Sequence, residues 1–138
     1  MRTYKIVVDS CCEIPEEIKN EILVERVPLT LEVGDTIVID DDNFDQASFL
    51  KMVDECPTAA KSACPSPERY MEAFDAEVER VYVVTLTSKL SGSYNSAILH
   101  IFAVRKQFKN LNLLIRQPAA ATFSAGEGKT YAIISACL

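Results

Sequence analysis

The amino-acid sequence predicts one α/β domain built on a mainly parallel β-sheet. Three observations carry this. The chain has 138 residues, 49% apolar and 25% charged, which is room for one domain with a sizeable core. Short β-branched runs alternate with segments of helical periodicity, the pattern of strand–helix–strand crossovers. No repeat, low-complexity tract or linker divides the chain.

The elements follow in order. Tyr4-Lys5-Ile6-Val7-Val8-Asp9 reads as a buried strand ended by Asp9-Ser10. Pro15 suits the first turn of a short helix, with Glu16 and Glu17 at its positive end. Leu23 to Val27 is a second strand, stopped by Pro28. Leu29 to Val33 and Thr36 to Ile39 flank Gly34-Asp35 as a hairpin-like excursion. A helix is expected from Asp45 to Glu55 on the apolar positions Phe49, Leu50 and Val53, followed by a loop of small residues, Pro57 to Ala63. Ser66-Pro67-Glu68-Arg69 is a helix start, with Ser as N-cap, Pro at the first helical position and an acid in the first turn. Tyr70, Ala73 and Phe74 then form its buried stripe. Val81 to Leu86 is the best strand in the chain. Ser91-Gly92-Ser93 opens a helix whose Tyr94, Ala97, Ile98, Ile101 and Phe102 share one face. Leu111 to Ile115 is a further strand. A last helix is expected to begin near Ala125-Gly126-Glu127-Gly128 and to run from Lys129 to Leu138.

Charge and cysteine content narrow the function classes. The net charge of −6 divides unevenly: residues 1–80 carry −11 and residues 81–138 carry +5. An acidic chain with dispersed cations lacks the clustered Lys and Arg that phosphate backbones require, so no nucleic-acid partner is expected. Arg105, Lys106 and Lys109 sit where they suit a helix end. No apolar run approaches the ~18 residues of a transmembrane helix, and the N-terminus is wrongly flanked for a signal peptide. The five cysteines are Cys11, Cys12, Cys56, Cys64 and Cys137, odd in number and without a Cys-x-x-Cys pair, which favours a reducing cytoplasm over a disulfide framework. His100 stands far from any cysteine pair, so zinc is not expected.

Ligands of an open parallel sheet bind beyond the carboxyl ends of its strands. Three segments gather there: Asp9-Ser10, Ser62-Ala63-Cys64-Pro65-Ser66, and Thr87 to Ser93. The last joins a strand to a helix N-terminus through small hydroxyl residues and Gly92. Free backbone N–H groups, the helix dipole and neutral hydroxyl donors together suit a carboxylate or a phosphate. The same serines also serve as ordinary N-caps, so these residues alone are read both ways. Gly128-Lys129-Thr130 resembles the end of a phosphate-binding loop, but Phe123 stands where that pattern needs Gly. Asp40-Asp41-Asp42 with Asp45 has a magnesium-like density, and reads more simply as solvated turn residues and helix-start acids. No Ser–His–Asp relay is identifiable, and Cys11 or Cys64 would act as nucleophiles only with a lowered pKa. Binding is expected rather than turnover, with no catalytic residue, cofactor or metal.

Five segments in the same order resemble the DegV family of bacterial fatty-acid-binding proteins, which includes the lipid-carrying subunits of fatty acid kinase. Asp9-Ser10 with Ile14-Pro15 is similar to the family's opening Asp-Ser…Leu-Pro, and Val27-Pro28-Leu29 to its Val-Pro-Leu step. Ser62-Ala63-Cys64-Pro65-Ser66-Pro67 resembles its Thr-Ser-x-Pro-Ser loop, with Ser62 in the Thr position. Ser88 to Tyr94 resembles its Ser-Ser-x-Leu-Ser-Gly-Thr-Tyr signature, and Ser124 to Gly128 a later Ser-x-Gly-x-Gly turn.

The resemblance implies a three-layer α/β domain like the DegV N-terminal domain, spanning 1–138. It implies that Ser62 and Ser91, with donors around Gly92 and Ser93, hold the carboxylate of a long-chain fatty acid such as palmitate or stearate. The acyl chain would lie in an apolar tunnel between two lobes, and a fatty acid kinase partner would phosphorylate the carboxylate. The alternative is a small phosphorylated metabolite at the Ser91-Gly92-Ser93 helix start. Family members are about twice as long, as two lobes require, so the second lipid-binding lobe, with its Arg and His contacts, is expected to be missing. Between Leu99 and Phe123 the resemblance fades, and Arg116-Gln117-Pro118-Ala119 stands where Asp-Ser is expected.

Overall fold

In a computed structural model, the structure describes residues 4–75, 78, 80–99, 112–116, 120–124 and 130–136. The chain begins β1 (Tyr4–Asp9), α1 (Glu16–Glu21), β2 (Leu23–Val27), β3 (Thr30–Val33), β4 (Thr36–Ile39) and α2 (Gln46–Glu55). It continues through β5 (Lys61–Ala63), α3 (Pro67–Phe74) and β6 (Arg80–Leu86) to a helix α4 at 93–99. The strands β7 (Asn112–Arg116), β8 (Ala120–Ser124) and β9 (Thr130–Ala136) follow.

Two sheets result. The larger has the order β2-β1-β6-β9-β8-β7, and the smaller β4-β3-β5. In the larger sheet β1 pairs in parallel with β2 and β6, and β6 in parallel with β9. The pairs β9–β8 and β8–β7 are antiparallel, so β8 alone runs against the other strands of this sheet. This is the expected mixed α/β fold with a mainly parallel sheet.

The topology marks one place on that sheet. From β1 the chain passes through α1 to β2 on one side, then returns with β6 on the other. The carboxyl ends of β1 and β6 therefore flank a topological switch point, where open α/β sheets leave a crevice. Side chains alternate along β1, so Lys5, Val7 and Asp9 share one face. That face is the core side: Val7, Val27, Val81 and Val83 meet Tyr70, Ala73 and Phe74 of α3 and Ala97 of α4. Tyr94 and Ile98 pack against this cluster, as their spacing with Ala97 requires. Lys5 reaches the same buried layer because it is paired with Glu25 across β1 and β2.

Local signals account for the element boundaries. Asp45 caps α2 by accepting the N–H groups of Ala47 and Ser48. Ser66 caps α3 through the Arg69 N–H, with Pro67 at the first helical position. Pro15 stands at the N-cap of α1, one position before the helical residues. Gly34, with φ of 58°, turns β3 into β4 in the left-handed region that other residues avoid.

Three expectations are corrected. The segment read as a terminal helix from Lys129 to Leu138 is strand β9 over Thr130–Ala136. Its apolar run is short and contains Tyr131, Ile133 and Ile134, and such runs fit strand and helix alike until partners are known. β9 has those partners, β6 in parallel on one side and β8 antiparallel on the other. The loop expected from Pro57 to Ala63 ends in β5, which pairs antiparallel with β3. The strand β8 was not expected at all; Ala120, Ala121 and Ser124 carry little strand propensity, and pairing with β7 and β9 decides it. His100, Ile101, Phe102, the Arg105–Lys109 cluster, Pro118, the Gly126–Gly128 turn, Cys137 and Leu138 lie outside the described residues.

Candidate functional site

The site is built where β1 and β6 end. After Leu86, Thr87 starts a tight turn: its carbonyl accepts the N–H groups of Leu90 and Ser91 at 2.9 and 3.0 Å. The Gly92 carbonyl then accepts the first helical bond, from the Ser96 N–H at 2.9 Å. Ser91 Oγ accepts the Ser93 N–H at 3.2 Å and lies 3.0 Å from Ser93 Oγ. The N–H groups of Gly92, Tyr94 and Asn95 have no acceptor within the helix, since an α-helix leaves its first donors unused. Ser91 thus does cap the helix, as the simpler reading expected.

Asp9 ties this turn to β1. It is 1% exposed, and its Oδ2 accepts the Leu86 N–H at 2.7 Å. Burial pushes its carboxyl above the ordinary carboxylate range, and the Leu86 N–H, with the nearby Ser93 hydroxyl and Cys11 N–H, pulls the other way. The neighbouring Ser10 Oγ accepts the Leu29 N–H at 3.0 Å, which fixes the Val27-Pro28-Leu29 step against the end of β1.

Ser93 is fully buried, as is Tyr70 of α3. The Tyr70 hydroxyl stands close enough to Ser93 and Asp9 to feel both, yet it makes no hydrogen bond of normal geometry. Burial, and then the Asp9 charge, push its phenol far above the ordinary tyrosine range, so it keeps its proton.

The loop after β5 closes the site. Cys64 Sγ lies 3.8 Å from Ser96 Oγ, and a Cβ added at Gly92 would stand 2.7 Å from the same sulfur. Glycine is what allows this approach. Ser62 is two residues upstream on β5, paired with Leu31 and exposed. Of the expected site residues, Ser91, Gly92 and Ser93 form one cluster, and Ser62 makes no hydrogen bond with it. Burial and the Asp9 charge push the Cys11 thiol up, away from a reactive thiolate. Burial likewise pushes up Cys12.

The acidic run has ordinary roles. Asp41 accepts the Asn43 N–H within its turn, and Asp45 caps α2. Two surface cavities, of about 680 and 400 Å³, lie away from the site: one is beside the Gly34 turn and Cys56, the other on the opposite face of β1 and β2.

Asp9 and Cys64 were expected at the ligand end of the sheet without a binding role, and Tyr70 only in the buried stripe of α3. Their signals were present but indistinct: an acid closing a buried strand, a tyrosine in an apolar stripe, and a cysteine before a helix N-cap. Each is as often structural as functional.

Fold and site together define an α/β domain with hydroxyl and backbone N–H groups gathered at its switch point. The chain belongs to the DegV family, whose model, described as "Uncharacterised protein, DegV family", matches residues 3–114. A DegV domain-containing protein of Streptococcus gordonii is 39% identical over 113 residues, which cover 80% of this chain and 40% of that protein. A DegV family protein of Ruminococcus gnavus, solved with vaccenic acid, is 43% identical with a TM-score of 0.73 over 79% of this chain and 39% of its own. The fatty acid kinase (Fak) B3 protein of Streptococcus pneumoniae, loaded with linoleic acid, is 36% identical with a TM-score of 0.67 over 76% of this chain and 38% of its own. The chain thus spans about 40% of the length of the curated relatives it matches. No helix among the described residues is long and apolar enough to cross a membrane.

Proposed function

We propose that this chain supplies the carboxylate-binding part of a long-chain fatty acid carrier. The observation that carries the reading is the convergence of Ser91, Gly92 and buried Ser93 at the β1/β6 switch point. A monoanionic carboxylate suits that cradle. Hydroxyl and backbone N–H donors offset its lost hydration without adding a fixed charge, and hydrogen bonds to charged groups contribute about 1.5–3 kcal/mol each. In this proposal Ser62, exposed on β5 two residues before Cys64, adds a further hydroxyl. The fatty acids bound by the Ruminococcus and Streptococcus relatives support the ligand class. Each methylene of an acyl chain adds about 0.8 kcal/mol when buried. Leu90, 70% exposed beside Ser91, offers apolar surface at the mouth of the site. A second lobe would complete the tunnel.

The phosphorylated-metabolite reading is the weaker one. Asp9 is buried at the start of the same turn, on the Leu86 N–H, and its charge opposes a dianion about twice as strongly as a monoanion at the same distance. In this proposal the chain has no turnover of its own. It works in the cytoplasm and presents the carboxylate to a kinase partner, which performs the phosphorylation.

The test is extraction and mass spectrometry of the purified chain after incubation with oleate, alongside a direct binding titration. Retained C16–C18 acids are expected, and Ser91→Ala should weaken oleate binding by roughly 10- to 100-fold, the loss of one charge-assisted hydrogen bond. Adding Ser62→Ala should weaken it further while thermal unfolding stays cooperative. Stabilisation by phosphate esters, with none by fatty acids, would sink the proposal.

A further inference from the structure

Resting on the carboxylate reading, we propose that Cys64 is a positioning residue. Its sulfur, seated in the space that Gly92 leaves empty, sets the separation of the Ser62 and Ser91 hydroxyls so that both reach one carboxylate. The two serines stand on separate frames. Ser62 lies on β5, at the edge of the smaller sheet, where three residue pairs hold it to β3 and all three of its residues are exposed. Ser91 lies on the turn that follows β6 in the larger sheet. Ladder hydrogen bonds therefore fix neither serine against the other. Two hydroxyls share one carboxylate only within roughly 8 Å of each other, since each hydrogen bond spans about 2.7 Å. Something must hold the β5–α3 loop on the β6–α4 turn to that tolerance.

The join is at Cys64. A Cβ at Gly92 would stand 2.7 Å from Cys64 Sγ, so the sulfur occupies the place of the missing side chain. The same sulfur lies 3.8 Å from Ser96 Oγ, and Ser96 is buried. Gly92 and Ser96 are four residues apart, on one face of the helix start, and the sulfur rests across both. Strand alternation carries this seat back to Ser62. Residues two apart in an extended chain point to the same side, about 6.6 Å from one another. Pro65 restricts Cys64 to extended backbone, so the alternation of β5 continues through it. Pro65 is itself buried, which anchors the loop just beyond the sulfur. Ser62 is thereby turned to the side on which Cys64 meets Gly92, and Ser91 is the residue that adjoins Gly92. A side chain at Gly92, or no sulfur at Cys64, frees the exposed edge strand and takes the Ser62 hydroxyl out of reach.

Two measurements on the full 138-residue chain test this. The first needs no ligand: iodoacetamide labelling of each thiol is followed by peptide mass spectrometry in the unsubstituted chain and in Gly92→Ala. The added methyl should expel the sulfur and speed Cys64 labelling about fivefold, while Cys56, beside the Gly34 turn, labels as before. Unchanged Cys64 labelling in folded Gly92→Ala overturns the proposal. The second is a double-mutant cycle on oleate affinity. Ser62→Ala should weaken binding about tenfold in the unsubstituted chain and hardly at all beside Cys64→Ala. Ser91→Ala should cost the same in both backgrounds, because that hydroxyl does not depend on the sulfur. Cys64→Ser, close to cysteine in size, should restore most of the Ser62 effect. A merely structural role would shrink both serine effects alike, and that result overturns the proposal. So does a Ser62 effect that is nil, or equal with and without the sulfur. If the unsubstituted chain binds no oleate, the carboxylate reading falls, and the labelling still decides whether the sulfur is seated on Gly92. If Cys64→Ala does not fold, Gly92→Ala displaces the same sulfur and takes its place in the cycle.

Discussion

At Gly92 a single hydrogen atom decides how closely the β5–α3 loop approaches α4. The Cβ position lies 2.7 Å from Cys64 Sγ, inside any tolerable contact, while Cys64 Cβ at 3.6 Å is comfortable. Gly92→Ala must therefore turn the sulfur away from Ser96 or push the loop outward. The expected cost is about 1–3 kcal/mol of stability, typical of overpacking, with Cys64→Ala in the same chain restoring most of it. Urea unfolding of the two single variants and the double variant checks this, and additive losses would show that the contact is not the cause. The Ser91-Gly92-Ser93 segment was legible as a candidate anion site because hydroxyls, glycine and a helix start coincide within three residues. The Asp9–Leu86 bond was not, because it joins residues 77 positions apart.

Helix α2 shows how far local chemistry reaches. Asp45 accepts the N–H groups of Ala47 and Ser48 and the Ser48 hydroxyl, and these bonds, the hydroxyl foremost, hold its carboxyl below the ordinary value. A carboxyl depressed on folding contributes stability that is present above its unfolded pKa and is lost as pH falls through its folded pKa. Amide exchange in the first turn of α2 should therefore quicken as pH drops below the usual aspartate range, after correction for intrinsic exchange. Asp45→Ala should show the quickened exchange already at neutral pH and little further change in acid. An identical pH response in both chains would place the cap's contribution elsewhere. The caps of α2 and α3, the Gly34 turn and β2 were all readable because each depends on residues within a few positions. β9 was not, since Tyr131 to Ser135 fits a helix or a strand and only β6 and β8 settle which.

Across the whole molecule, stability should follow the order of the larger sheet. β1 and β6 are paired on both edges and carry Val7, Val81 and Val83, all fully buried. β4 has β3 as its one neighbour in the smaller sheet, and Ile37 is 68% exposed there. Native-state hydrogen exchange should find the slowest amides in β1 and β6 and the fastest strand amides in β4, because opening free energies track buried packing. Equal protection in the two sheets would contradict this ordering. The Asp9–Leu86 bond joins the ends of these two strands, so the proposed anion cradle on the following turn inherits the rigidity of the sheet beneath it.

The amino-acid sequence by itself determined the strand and helix alternation, the caps and turns, and the hydroxyl-rich helix start that suits an anion. Those depend on periodicity and on residues close along the chain. Tertiary structure decided that β9 is a strand, that β5 joins β3, that Asp9 takes the Leu86 N–H and that Cys64 lies against Gly92. The physical reason is the same in each case. A short apolar run, an acid or a thiol has several acceptable environments. Which one it takes depends on partners brought beside it by folding, often tens of residues away.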